Sequence, residues 1–356
     1  MAEQNNSSRG IRILVGVAAL VIIITGINLA QSVVVLLLIS FFLALLGTPP
    51  VLWLKEKHIP SGIAVLIVMA GMIIILILIG IQIGTSFSSF SDELPLLQVH
   101  IREQVLELSA FLRSKGFSGT QKFLLDFVKP EVIMNLTADL LTGLGSVLSD
   151  LVLILLTVTF ILLEVSSFPI KLRAVIGDPK QKFPQFTKFA NDMKRYMVIK
   201  TFMSLASGIL IAVWLYILGV DYPILWGFLA FLLNYIPNIG SIVAAIPAVI
   251  LAIVQLGFGS AILVAAGYIV VNFVEGNVIE PRLMGRKLGL STLVVFLSLI
   301  FWGGLLGFVG AILSIPLTMT LKFAFENSES TRWIAVLLGS EKMDEKSIPI
   351  SNKKKD

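Results

Sequence analysis

The chain has 356 residues, 56% of them hydrophobic and only 14% charged, against about 25% charged in ordinary soluble domains. The net charge is +5, cysteine is absent, and the two histidines, His58 and His100, lie far apart in sequence. This excludes disulfides, thiol catalysis and thiolate metal sites, argues against a histidine-built zinc or haem centre, and leaves a surplus of apolar side chains that suits a lipid-facing surface.

The apolar runs cover 13–47, 61–84, 144–163, 201–219, 224–255, 258–275 and 291–321. A bilayer core of about 30 Å takes about 20 helical residues. The runs 61–84, 144–163, 201–219 and 258–275 therefore fit one crossing each. The first run follows Arg9 and Arg12 as a secretory leader would, but it continues to Gly47. That is too long for a cleavable apolar core of about 7–15 residues, so it reads as an uncleaved span.

Runs 13–47, 224–255 and 291–321 are too long for one crossing, at about 46–52 Å as straight helices. Each has polar or helix-breaking residues near its middle. These are Asn28, Gln31 and Ser32 in the first; Asn234, Pro237, Asn238 and Gly240 in the second; and Gly303, Gly304 and Gly307 in the third. Proline removes a backbone donor and glycine loosens a helix. The expected architecture is an all-α polytopic membrane protein with four single-crossing helices and three helical hairpins.

Basic residues orient it. With two passes per hairpin and both termini in the cytoplasm, 22 of the 27 Lys and Arg fall on the cytoplasmic side, the direction that membrane proteins favour. The basic residues thus mark orientation, not a nucleic-acid surface. The chain divides into an N-terminal hairpin and span (1–84), an outside segment (85–149), a span with a basic cytoplasmic connection (150–200), a core with two broken-helix hairpins (201–322) and a cytoplasmic tail (323–356). In the outside segment, Ile101, Val105, Leu108 and Leu112 recur at helical spacing, and Phe123 to Val128 is apolar again, so two amphipathic helices are expected. The tail ends in Lys353, Lys354 and Lys355, suited to anionic lipid.

The string from Gly240 to Pro247 is similar to the string from Gly310 to Pro316, with one residue fewer in the second. Each lies in the second half of a broken run, and each run follows an ordinary span. Given the orientation above, the two span-plus-hairpin units are inverted, which points to a polar passage near the midplane of a carrier.

The candidate pathway residues are polar groups next to apolar spans. Asn272, Glu275, Asn277, Glu280 and Arg282 end one span. A charge in a bilayer helix costs about 2.5–3.5 kcal/mol on insertion scales, so such an acid is expected to pair or to line a wet cavity. Arg282 is the expected partner for Glu275 or Glu280. Asn234, Asn238 and Ser241 in the first hairpin offer amides and a hydroxyl to a polyhydroxylated solute, or caps to the broken helix ends. Ser291 and Thr292 add hydroxyls. There is no P-loop and no nucleophile–base pairing, so neither ATP hydrolysis nor enzymatic chemistry is expected, and no cofactor or metal is called for.

The runs Asn234 to Ser241, Glu275 to Gly285 and Leu288 to Gly303 resemble the autoinducer-2 exporter family, and the resemblance extends over nearly the whole chain. It implies a carrier in the bacterial inner membrane that exports a small furanosyl polyol signal in quorum sensing. It also implies a homopentamer, and members credited with sodium or proton antiport. A cation/proton antiporter acting through Glu275 and Glu280 and a non-transporting membrane scaffold docking through 85–149 are the other two readings.

Overall fold

The computed structural model describes residues 2–114, 150–176, 184–237, 239–284 and 289–339. Every regular element among them is helical. In chain order these are α1 (Ala2–Leu29), α2 (Gln31–Glu56), α3 (Ser61–Ser114), α4 (Leu151–Ile176), α5 (Pro184–Leu218), α6 (Pro223–Leu233) and α7 (Gly240–Val274). A π-helical turn follows (Glu275–Ile279), then α8 (Glu280–Met284), α9 (Thr292–Ile312), α10 (Ser314–Glu326) and α11 (Arg332–Leu338). Five stretches are long and apolar enough to cross a membrane: Gln31–Glu56, Ser61–Ser86, Pro184–Leu218, Gly240–Ile279 and Thr292–Ile312. Large apolar side chains such as Ile22, Val152, Ile262 and Ile269 stand more than two-thirds exposed. In water such a surface would aggregate; in lipid it is the solvent-matched face. The chain is a multi-pass membrane protein.

The three long runs behave differently. In the first, the break is the single residue Ala30. Its N–H bonds to Gly26 O, and Val34 N–H bonds to Ala30 O, both at 3.0 Å. Helical bonding brackets the break, so Asn28, Gln31 and Ser32 mark a bend and not the reversal a hairpin needs. In the second run the helix stops at Leu233, residues 234–237 and Ile239 are non-helical, and α7 packs against α6. Pro237 lies in that break, Gly240 opens α7, and Pro247 is buried within it. Helical geometry breaks again at Gly257 (φ 82°, ψ 176°), between the runs 224–255 and 258–275.

In the third run, Gly303 and Gly304 stay helical, and the break is Gly307 (φ 66°, ψ −149°). A positive φ is open to glycine at little steric cost. Trp302 Nε1 donates to Thr318 Oγ1 across the hairpin at 3.0 Å, so the two arms run side by side. Pro316 sits in the first turn of α10, where a missing N–H breaks no helical bond.

Two packed groups carry the fold. Ala44 and Val51 of α2, Val65 of α3, and Ile154, Val158 and Leu162 of α4 form one. Ile211 and Leu215 of α5, Trp226 and Leu233 of α6, and Leu251 and Val264 of α7 form the other. Between them lies a third cluster, in which Met193, Tyr196 and Met197 of α5 meet Val309, Leu313 and Ile315 of the last hairpin. The segment expected as a basic cytoplasmic connection is helical from Pro184, with Met193, Tyr196, Met197 and Lys200 buried and Ala190, Asn191 and Asp192 exposed. The helix expected at 101–112 is the continuous extension of α3, and the apolar stretch 123–128 lies outside the described residues.

Candidate functional site

On α5, Lys200, Ser204 and Ser207 are buried at spacings of four and three, and Ile211 and Leu215 continue the same face. One stripe of the helix is thus polar over two turns and apolar beyond. Residues so spaced share a side of a helix. Against the polar part pack the turn after α6 and the end of α7.

Glu275 lies where α7 passes into the π turn, and it is 5% exposed. Its Oε1 accepts a hydrogen bond from Asn234 Nδ2 at 2.8 Å, and its Oε2 accepts one from the Ser207 hydroxyl. Asn234 Nδ2 also donates to Ser204 Oγ at 3.2 Å. Three segments that are separate in sequence are therefore tied at one carboxylate. Burying that group without partners costs several kcal/mol; two donors offset part of the loss.

The π turn is closed by Glu280 N–H bonding to Glu275 O, five residues back. Such turns hold an extra residue inside a helix and are frequent at functional sites. Glu280 then pairs with Lys200 Nζ at 3.6 Å. Next to this pair, Tyr235 donates its hydroxyl to Thr201 Oγ1 at 2.7 Å, and its ring meets Phe42 of α2 edge-on at 5.7 Å.

Beside the carboxylate is a small cleft of about 20 Å³, room for about one water, lined by Ser207, Asn234, Ser241, Tyr268, Asn272 and Glu275, with Ile211, Ala230 and Val271 as its apolar wall. Its lining offers hydroxyls, amides and one carboxylate, the groups that orient a polar molecule.

The structure brings together Asn234, Ser241, Asn272 and Glu275 of the expected set, with Glu280 one step below. The others lie elsewhere. Asn277 is exposed and donates to Phe273 O of its own helix at 3.1 Å. Arg282 is exposed, and the acids find Ser207, Asn234 and Lys200 where Arg282 was expected, because the π turn directs them at α5. Ser291 caps α9, its hydroxyl accepting from Val294 N–H at 3.2 Å, and Thr292 is exposed on the first turn of α9. Asn238 lies outside the described residues. Lys200, Ser204, Ser207 and Tyr268 were not anticipated. The first three carried a legible signal, a polar stripe at helical spacing entering an apolar span; Tyr268 carried none.

The family model described as AI-2E family transporter matches residues 17–330. The AI-2 transport protein TqsA of Escherichia coli K12 is 39% identical over 338 residues, covering 95% of this chain and 98% of that one. A putative transport protein of Haemophilus influenzae is 38% identical over 335 residues, covering 92% and 96%. The putative transport protein YhhT of Escherichia coli K12 is 36% identical over 330 residues, covering 93% and 95%. The chain belongs to the AI-2E transporter family and is a transport protein, not an enzyme.

Proposed function

We propose that the protein exports AI-2, or a small polar solute like it, across the bacterial inner membrane, and that the solute passes through the cleft beside Glu275. One observation carries this reading. A buried carboxylate, held by groups from α5 and the first hairpin turn, borders a polar cleft inside an otherwise apolar helical group. A carboxylate at membrane depth is costly enough that it marks solute or ion pathways. The name of the Escherichia coli relative supports the choice of cargo.

The decisive experiment is flux. Deletion of the gene in a strain without a redundant relative should raise intracellular AI-2, and purified protein in liposomes should move it. Normal efflux from the deletion strain together with inert liposomes ends the proposal. The same reading places both termini in the cytoplasm and inverts the two span-plus-hairpin units. In this cysteine-free chain, a Phe258→Cys label should be reached from outside and a Met284→Cys label from inside.

A second reading rests on the same carboxylate. Glu275 on the cleft and the Lys200–Glu280 pair one turn on are charged groups of the kind cation/proton exchange uses. Everted vesicles should then show sodium-dependent proton flux that Glu275→Gln abolishes; unchanged flux in that variant removes exchange at this site.

A further inference from the structure

Tyr268 lies on α7 and lines the same cleft as Ser207 of α5. Its side chain is 4% exposed, and its hydroxyl has no hydrogen-bond partner. Buried hydroxyls are nearly always partnered, and one that is not calls for an explanation. Among the described residues only Ser314 Oγ shares this condition. A serine hydroxyl turns freely about one bond and finds a backbone carbonyl of its own helix with little movement. A tyrosine hydroxyl sits at the end of a rigid ring and cannot search in that way.

The surroundings limit what its partner is. The neighbouring donors are committed: Ser207 donates to Glu275, and Asn234 donates to Glu275 and to Ser204. Ser241 and Asn272 share the cleft with Tyr268, and neither has a side-chain hydrogen bond among the described residues. The uncommitted groups are thus two hydroxyls and one amide, all neutral. Neutral donors and acceptors match an uncharged solute bearing hydroxyl or carbonyl oxygens, which enters once the cleft, now about 20 Å³, widens. The carboxylate on the same wall disfavours an anion.

We infer that the Tyr268 hydroxyl is a solute-binding donor that selects for an uncharged oxygen-rich cargo and receives its partner only when the cleft is occupied. This rests on the assignment of the cleft to transport, and the test separates the two. Tyr268→Phe removes the hydroxyl and keeps the ring, with Tyr216→Phe on the exposed face of α5 as control.

The first measurement is thermal unfolding in detergent without solute. A hydroxyl that lacks a protein partner predicts that Tyr268→Phe is as stable as the parent or more so. A fall in the midpoint, absent from the control, shows that the protein itself satisfies the hydroxyl and overturns the inference.

The second is AI-2 flux into liposomes. The expected result is about a ten-fold rise in KM with the maximal rate retained, the size of one lost hydrogen bond. An unchanged KM also overturns it. If the parent protein moves no AI-2, the proposed cargo fails, and the unfolding midpoint alone then decides for or against the free donor.

Discussion

The backbones of Gly208 on α5 and Gly227 on α6 lie against each other. A Cβ added at Gly208 would sit 2.7 Å from the Gly227 carbonyl oxygen, and one at Gly227 would sit 2.6 Å from that of Gly208. Neither glycine is replaceable without parting the helices. Close approach of this kind is how helices associate in lipid, where water no longer drives apolar surfaces together.

Gly208→Ala should therefore lower the unfolding midpoint in detergent, at a cost of about 1–3 kcal/mol from overpacking. Gly80→Ala on α3, where nothing lies within 4 Å of an added Cβ, should leave it unchanged. Equal midpoints for both variants would show that the crossing is loose.

The hairpin glycines give a paired prediction. A Cβ at Gly240 would lie 1.8 Å from Leu233 O, and one at Gly310 would lie 2.0 Å from Trp302 O. In each hairpin the first glycine of the returning arm presses on a carbonyl near the end of the outgoing arm. Gly240→Ala and Gly310→Ala should both lose most of the folded yield on gel filtration. A normal profile for one of them would break the correspondence between the two units.

At the carboxylate, Asn234→Asp sets a second acid where an amide donated. Two carboxylates in contact cannot both stay ionised in a buried place. The variant should be destabilised at pH 8 and recover as the pH is lowered, when a proton bridges the pair. Asn234→Ala, which removes a donor without adding charge, should show no such recovery. Unfolding midpoints across pH decide this.

Lys200 and Glu280 should respond to charge exchange. Lys200→Glu or Glu280→Lys alone puts like charges together at a partly buried position. Breaking a fully buried pair costs about 3–5 kcal/mol; with Glu280 28% exposed and the pair 3.6 Å apart, a smaller loss is expected. The double exchange should regain a good part of folded yield and flux. A double variant no better than the singles would mean that the two groups do not interact.

Much of this was written in the sequence because lipid makes apolar length explicit. The boundaries at 256–257 and the turn from Asn234 to Gly240 are readable because glycine, proline and asparagine cluster in runs that are otherwise mostly apolar. Asn28, Gln31 and Ser32 misled for the opposite reason. A helix in protein or lipid tolerates a few polar side chains so long as its backbone bonds are kept, and those on either side of Ala30 are kept. Glu275 was found from its cost in a membrane. Its partners were not, because Arg282 was chosen by closeness in sequence, whereas Ser207 and Asn234 are close only after α5, α6 and α7 fold together. Lys200 was assigned to a solvated connection by the density of charge around it, yet its position four residues before Ser204 continues the buried face.

The π turn has a consequence for the length of the chain itself. Ser207 and Lys200 stand two turns apart on α5, a spacing that a regular helix cannot alter. The two acids that meet them are five residues apart only because one surplus residue is looped into their helix. Removal of Asn277, whose exposed side chain bonds to Phe273 O of its own helix, should turn the loop into an ordinary helical turn. Both acids would still point at α5, now four residues apart. Loss of one residue at this point should thus keep the register between the two charges and their partners.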